Sequence, residues 1–184
     1  MKKDRLKSLM WLAVVGCWVF GFVIGRWHDT YPFFMEISKA VRVPDPSAIN
    51  TWWNVIAYFA LSTVSLFVLS HILFGVGGGF FLFSRGMYDS VLFGIVERKV
   101  SNWSISDFSL QDTQNIFVIS TVLVVNLPLC LWASQLGMQR SFYTLNRIRG
   151  EPINPELGSE PISDLLRIIA AALVTGLLVS ILLY

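Results

Sequence analysis

The stretch WWNVIAYFALSTVSLFVLSHILFGVGGGFFLFSRGMYDSVLFGIV, residues 52–96, decides the fold. Its 45 residues carry two formal charges, Arg85 and Asp89. One bilayer crossing takes about 20 apolar residues, so the stretch is long enough for two. Gly75, Gly77, Gly78 and Gly79 fall between its halves and mark a tight reversal. The expectation is a helical hairpin over about 53–74 and 77–97, with its two charges near the middle of the second arm.

The rest of the chain conforms to this reading. Of 184 residues, 54% are hydrophobic and 14% charged, against about 25% charged in soluble domains. Further apolar blocks predict helices over about 9–25, 114–137 and 166–183. The expected architecture is all-α: one polytopic membrane helix bundle, a single integral membrane domain over residues 1–184, with five transmembrane helices. Pro128 lies inside the fourth and predicts a kink, because proline removes a backbone donor. Gly150, Pro152, Pro155, Gly158 and Pro161 predict an irregular cytoplasmic loop over 149–161. Lys2, Lys3, Arg5 and Lys7 precede the first apolar run. No Ala-x-Ala cleavage site follows it, so the run is expected to stay as a membrane helix rather than leave as a signal peptide.

Basic residues orient the bundle. With five crossings and the N-terminus inside, the inner segments hold Lys2, Lys3, Arg5, Lys7, Arg140, Arg147, Arg149 and Arg167. The outer loops hold Arg26, Lys39, Arg42, Arg98 and Lys99. Treating 52–96 as one span would reverse the excess, so the positive-inside rule favours five spans and an N-terminus inside. The expected location is the cell membrane, plasma or inner, with several passes. Trp27, Tyr31, Phe33, Phe34, Trp52 and Trp53 in one outer loop, and Trp103, Ile105 and Phe108 in the other, suit headgroup depth. A net charge of +2 supplies no basic field for nucleic acid. Cys17 and Cys130 lie inside apolar runs and are expected to be packing residues.

Lipid is as apolar as leucine, so helices associate through close backbone approach and polar contacts. Small residues recur at helical spacing: Cys17, Gly21 and Gly25; Gly86, Ser90 and Gly94; Asn126, Cys130, Ser134 and Gly137; Ala172, Gly176 and Ser180. These are the expected packing stripes.

Arg85 and Asp89, four apart, share one helix face. At mid-membrane each charge costs about 2.5–3.5 kcal/mol, while each Leu, Ile, Phe or Val gains about 0.3–0.6. Nine such apolar residues between Phe80 and Val96 do not offset two charges. The third helix is therefore expected to insert only with its charges paired and its hairpin partner beside it. The pair either lines a functional site, the default for intramembrane ions, or fixes the helix structurally against Asn126 and Gln135.

Catalytic signatures are lacking in the sequence. The glycine run has no following Gly-Lys-Ser/Thr, so it is a turn and not a phosphate loop. Ser90 beside Asp89 is the one arrangement resembling a nucleophile with a base, and its stripe position explains it as packing. His28 and His71 are expected on opposite sides of the membrane and cannot share a metal. No catalytic residue, cofactor or metal is expected.

Asn54, the glycine-rich bend, Arg85-Gly86 with Gly94, Asn126-Leu127-Pro128, and Trp132-Ala133-Ser134 leading to Arg140-Ser141 together resemble the stage II sporulation protein M family over about residues 50–147. The chain departs from that pattern at Asp89 and in its proline placement. The resemblance implies a multi-helix membrane protein without enzymatic chemistry. The expected function is a scaffold or partner-binding subunit of a membrane complex, with membrane lipid, other membrane proteins or a second copy as partners. The alternative is a small transporter or channel subunit with Arg85 and Asp89 in a pathway between protomers.

Overall fold

A computed structural model of the protein describes residues 2–27, 52–101, 110–150 and 156–183. Among the described residues the fold is all-helical. Helix α1 spans Lys2–Trp27, α2 Trp52–Ile72 and α3 Val76–Ser101. Helix α4, Leu110–Thr121, runs through a π-helical turn, Val122–Asn126, into α5, Leu127–Ile148, and α6 spans Glu156–Leu183. Four stretches are long and apolar enough to cross a membrane: Lys7–Trp27, Val55–Ile72, Ile116–Ile148 and Ile162–Leu182. Helix α3 is not among them, because Arg85, Asp89, Glu97, Arg98 and Lys99 dilute its apolar content.

The close contacts establish the helix directions. Cys17 of α1 lies beside Gly79 of α3, and Arg26 beside Gly94, so α1 and α3 run parallel. Helices α2 and α5 are also parallel: Asn126 meets Phe59, Ser134 meets Ser70, and Gly137 meets Phe67 and His71. Helix α6 is antiparallel to α2, with Gly176 against Ile56 and Ile168 near Phe67. In chain order, counting α4 and α5 as one rod, the helices alternate in direction. Three apolar clusters fill the spaces between them. One gathers Val55, Phe59, Val118, Val122, Ala172 and Val179; another Val14, Leu66, Leu82 and Cys130; the third Phe67, Ala133, Leu136 and Ile168.

The boundaries depart from expectation in places. The fourth predicted helix does not stop at 137; it continues to Ile148. The segment expected to be an irregular loop over 149–161 is helical from Glu156, while residues 151–155 lie outside the described residues. So do 28–51 and 102–109, which hold most of the aromatic loop residues and His28. Pro128 is accommodated by the π turn just upstream, where the Leu127 N–H reaches the Val122 carbonyl. That turn loosens the ladder where the proline ring would press on the Val124 carbonyl and leave it without a donor.

The α2–α3 reversal uses its glycines unequally. The Gly75 N–H bonds the Ser70 carbonyl at 2.8 Å and closes α2. Gly75 has φ +85 and Phe74 φ +49. Gly78 is required for a different reason: a methyl group there would fall on Ser70 Oγ and within 3.0 Å of Ser134 Oγ.

Candidate functional site

Arg85 and Asp89 stand one turn apart on α3 and are among its most buried residues, 2% and 0% exposed. Their depth follows from a neighbour. Trp18 Nε1 donates to Asp89 Oδ2 at 2.8 Å, and Trp18 lies close to the centre of the apolar run Lys7–Trp27. The pair therefore sits level with the middle of α1.

The guanidinium reaches across the bundle to α5. Arg85 Nη2 donates to Asn126 Oδ1 at 2.7 Å, and Nη1 to Cys130 Sγ at 2.9 Å. Arg85 Nε lies 3.5 Å from Asp89 Oδ2, an ion-pair contact rather than a hydrogen bond. Arg85 Nε and Asp89 Oδ1 have no hydrogen-bond partner. Asn126 ends the π turn and continues the network into α2: its Nδ2 donates to Ser62 Oγ at 3.2 Å. Thr63, beside Cys130, satisfies its own hydroxyl on the Phe59 carbonyl at 2.9 Å. One polar node thus joins α1, α2, α3 and α5.

Burying two charges is tolerable only when hydrogen bonds accompany their mutual attraction. Here they come from Trp18 of α1 and from Asn126 and Cys130 of the α4–α5 rod. Of the two α5 partners expected for the pair, Asn126 is present in the node. Gln135 is not. Nine residues further along, it falls on the other side of the helix, buried and with its Nε2 unpartnered. Four participants escaped the sequence reading of the pair: Trp18, Ser62, Thr63 and Cys130. Trp18 carried a usable signal, since it sits three residues before Gly21 on the packing face of α1. Ser62 and Thr63 carried none, because hydroxyls in membrane helices commonly bond their own backbone.

The small-residue stripes are internal seams. A methyl group at Gly21 would fall on the Phe83 carbonyl oxygen, and one at Gly86 on the Trp18 carbonyl oxygen. At Gly25 it would meet Ser90 Oγ and come within 2.7 Å of Met87 Cα. A methyl group at Gly94 would lie 3.2 Å from the Arg26 guanidinium, and one at Gly176 would lie 2.9 Å from Ile56 Cα. Ser90 thus belongs to the α1–α3 seam, and its hydroxyl donates to the Met87 carbonyl at 2.7 Å. It is not directed at Asp89, so the serine–carboxylate pair lacks the nucleophile–base hydrogen bond that activation needs. Among the described residues, no three His, Cys, Asp or Glu side chains gather in a metal-binding group.

Arg85, Asp89, Asn126 and Cys130 at the centre of the node are all buried, and the arginine is matched by the carboxylate. No protein-family model, curated protein or solved structure matches the chain, so its meaning rests on this geometry.

Proposed function

We propose that the protein is a non-enzymatic, multi-pass protein of the cell membrane that acts as a scaffold or partner-binding subunit of a membrane complex. The observation that carries the proposal is the enclosure of Arg85 and Asp89 inside a single copy of the chain, held by Trp18, Asn126 and Cys130. A conduction path between protomers needs its ions on an outward face, and these face the bundle interior.

Five crossings, with the N-terminus inside, belong to this reading. Helix α3 runs parallel to α1 from the level of Cys17 to the level of Arg26. Helix α3 thus lies beside the half of the α1 run Lys7–Trp27 that follows Cys17, which supports counting it as a fifth crossing. The alternating helix directions put Lys7, Arg140, Arg147, Arg149 and Arg167 at one end, the inner end under the positive-inside rule. The outer surface of the bundle, with Leu12, Phe20, Val174 and Ile181 exposed, is left for lipid, other membrane proteins or a second copy.

Two measurements test the proposal. Purification in mild detergent should recover a defined set of bound membrane proteins. Reconstitution into vesicles should give no saturable flux of ions or solutes. Reproducible, saturable flux that is lost when Arg85→Leu and Asp89→Met are combined would establish the transporter reading instead.

A further inference from the structure

The two members of the buried ion pair take their partners from opposite directions along the chain. The indole that donates to Asp89 belongs to Trp18, 71 residues upstream. The acceptors of the Arg85 guanidinium are Asn126 Oδ1 at 2.7 Å and Cys130 Sγ at 2.9 Å, 41 and 45 residues downstream. Synthesis at about 5–20 residues per second brings Asn126 about 2–8 s after Arg85. When α3 is complete, Asp89 already has its indole. Of the contacts that hold the guanidinium, only the 3.5 Å ion pair with Asp89 can form at that stage. Helix α1 also supplies the glycine seam, but the acceptors for the guanidinium come from the α4–α5 rod.

Without those acceptors α3 is a poor crossing. Lys7–Trp27, Val55–Ile72, Ile116–Ile148 and Ile162–Leu182 are apolar enough to span by themselves, and α3 is not among them. A charge at a helix centre opposes insertion several times more strongly than one Leu or Phe favours it. The basic residues do little to force the choice. With α3 in the membrane, eight lie inside and five outside. With α3 left on the inner side, the chain crosses four times and its last two spans reverse. Each side then holds seven basic residues. The positive-inside rule thus favours five crossings by an excess of three and gives the four-crossing form no opposing bias. Insertion of α3 therefore decides on which side Arg140, Arg147, Arg149 and Tyr184 lie.

We infer that Asn126 and Cys130 are a topology lock: α3 is held in the membrane only once they reach Arg85, and without them the chain populates a four-crossing form with its C-terminal third reversed. The inference rests on the five-crossing reading above. Asn126 and Cys130 are four apart and share one helix face. The π turn that ends at Asn126 sets which face that is, because one extra residue in the ladder rotates everything after it by about 100°. The same two residues meet the first arm of the hairpin. Asn126 Nδ2 donates to Ser62 Oγ at 3.2 Å, and Cys130 Sγ lies 3.9 Å from Thr63 Oγ1. Arrival of this one face closes the hairpin and supplies the arginine in a single step.

The test uses the full chain with an epitope tag after Tyr184, in right-side-out membrane vesicles treated with protease. A tag lost at once lies outside; a tag lost only after permeabilisation lies inside. The wild-type tag is expected outside. Asn126→Leu with Cys130→Ala removes both acceptors and should raise the inside-to-outside ratio about tenfold or more, since hydrogen bonds to a charged group are lost. Adding Arg85→Leu and Asp89→Met makes α3 apolar and should return the tag to the outside, which a chain that had merely failed to fold would not do. Gln135→Leu removes a buried α5 amide away from the node and should keep the wild-type ratio. An unchanged ratio in the Asn126 and Cys130 variant, no return in the fourfold variant, or an equal shift in Gln135→Leu overturns the inference. A wild-type tag inside overturns the five-crossing reading and this inference with it. A tag outside in wild type and in every variant sinks this inference alone.

Discussion

The Trp18 indole and the Asp89 carboxylate, 71 residues apart in sequence, are joined by a 2.8 Å hydrogen bond in the middle of the bundle. The bond links the first helix to the buried ion pair of α3. It also orients the carboxylate, whose second oxygen has no hydrogen-bond partner. With α1 tied to α3 there and along the glycine seam, the first helix is an integral wall of the bundle rather than a loose anchor.

Trp18→Phe keeps an aromatic ring at the seam but removes the indole N–H together with part of the ring. Asp89 then retains Arg85 alone. Hydrogen bonds to charged groups contribute about 1.5–3 kcal/mol, so a loss of that size is expected in reversible unfolding in mixed micelles. An unchanged midpoint would mean that Asp89 is not ionised or is reached by water.

Removing one member of the charge pair strands the other. Arg85→Leu or Asp89→Leu alone should cost about 3–5 kcal/mol, while Arg85→Leu with Asp89→Met should cost much less than the sum. A double-mutant cycle measures the coupling. The exposed pair Arg26–Glu97, also between α1 and α3, is the internal control. With both side chains about half exposed, Glu97→Gln should cost under about 1 kcal/mol.

Two glycines on α1 should respond to the same substitution with opposite signs. At Gly21 a methyl group collides with the Phe83 carbonyl, whereas at Gly16 nothing lies within 4 Å. Gly21→Ala should force α1 and α3 apart and destabilise by about 1–3 kcal/mol. Gly16→Ala should stabilise by up to about 1 kcal/mol through helix propensity. Cysteine cross-linking between the two helices, compared with wild type, shows whether the seam has opened.

Phe74 holds a left-handed backbone, φ +49, at the end of α2. That conformation costs a residue with a Cβ about 1–2 kcal/mol, and glycine little. Since the Phe74 ring is 54% exposed, Phe74→Gly should leave stability level or raise it by about 1 kcal/mol. Thermal unfolding in detergent checks this; a clear loss would show that the ring has a partner at the tip.

Length and apolar content alone were enough to identify long membrane-type helices, their order and the α2–α3 hairpin, because a helix in hydrocarbon must satisfy its own backbone and is therefore legible locally. The spacing of Arg85 and Asp89, and of Gly21 with Gly25, also read directly, since helical periodicity puts such residues on one face. Periodicity does not say which face meets which. Only the tertiary structure placed Trp18 on Asp89 and chose Asn126 over Gln135 as the arginine's partner. Those choices depend on helix register and on the π turn before Pro128, where backbone packing across long sequence separations outweighs any local preference.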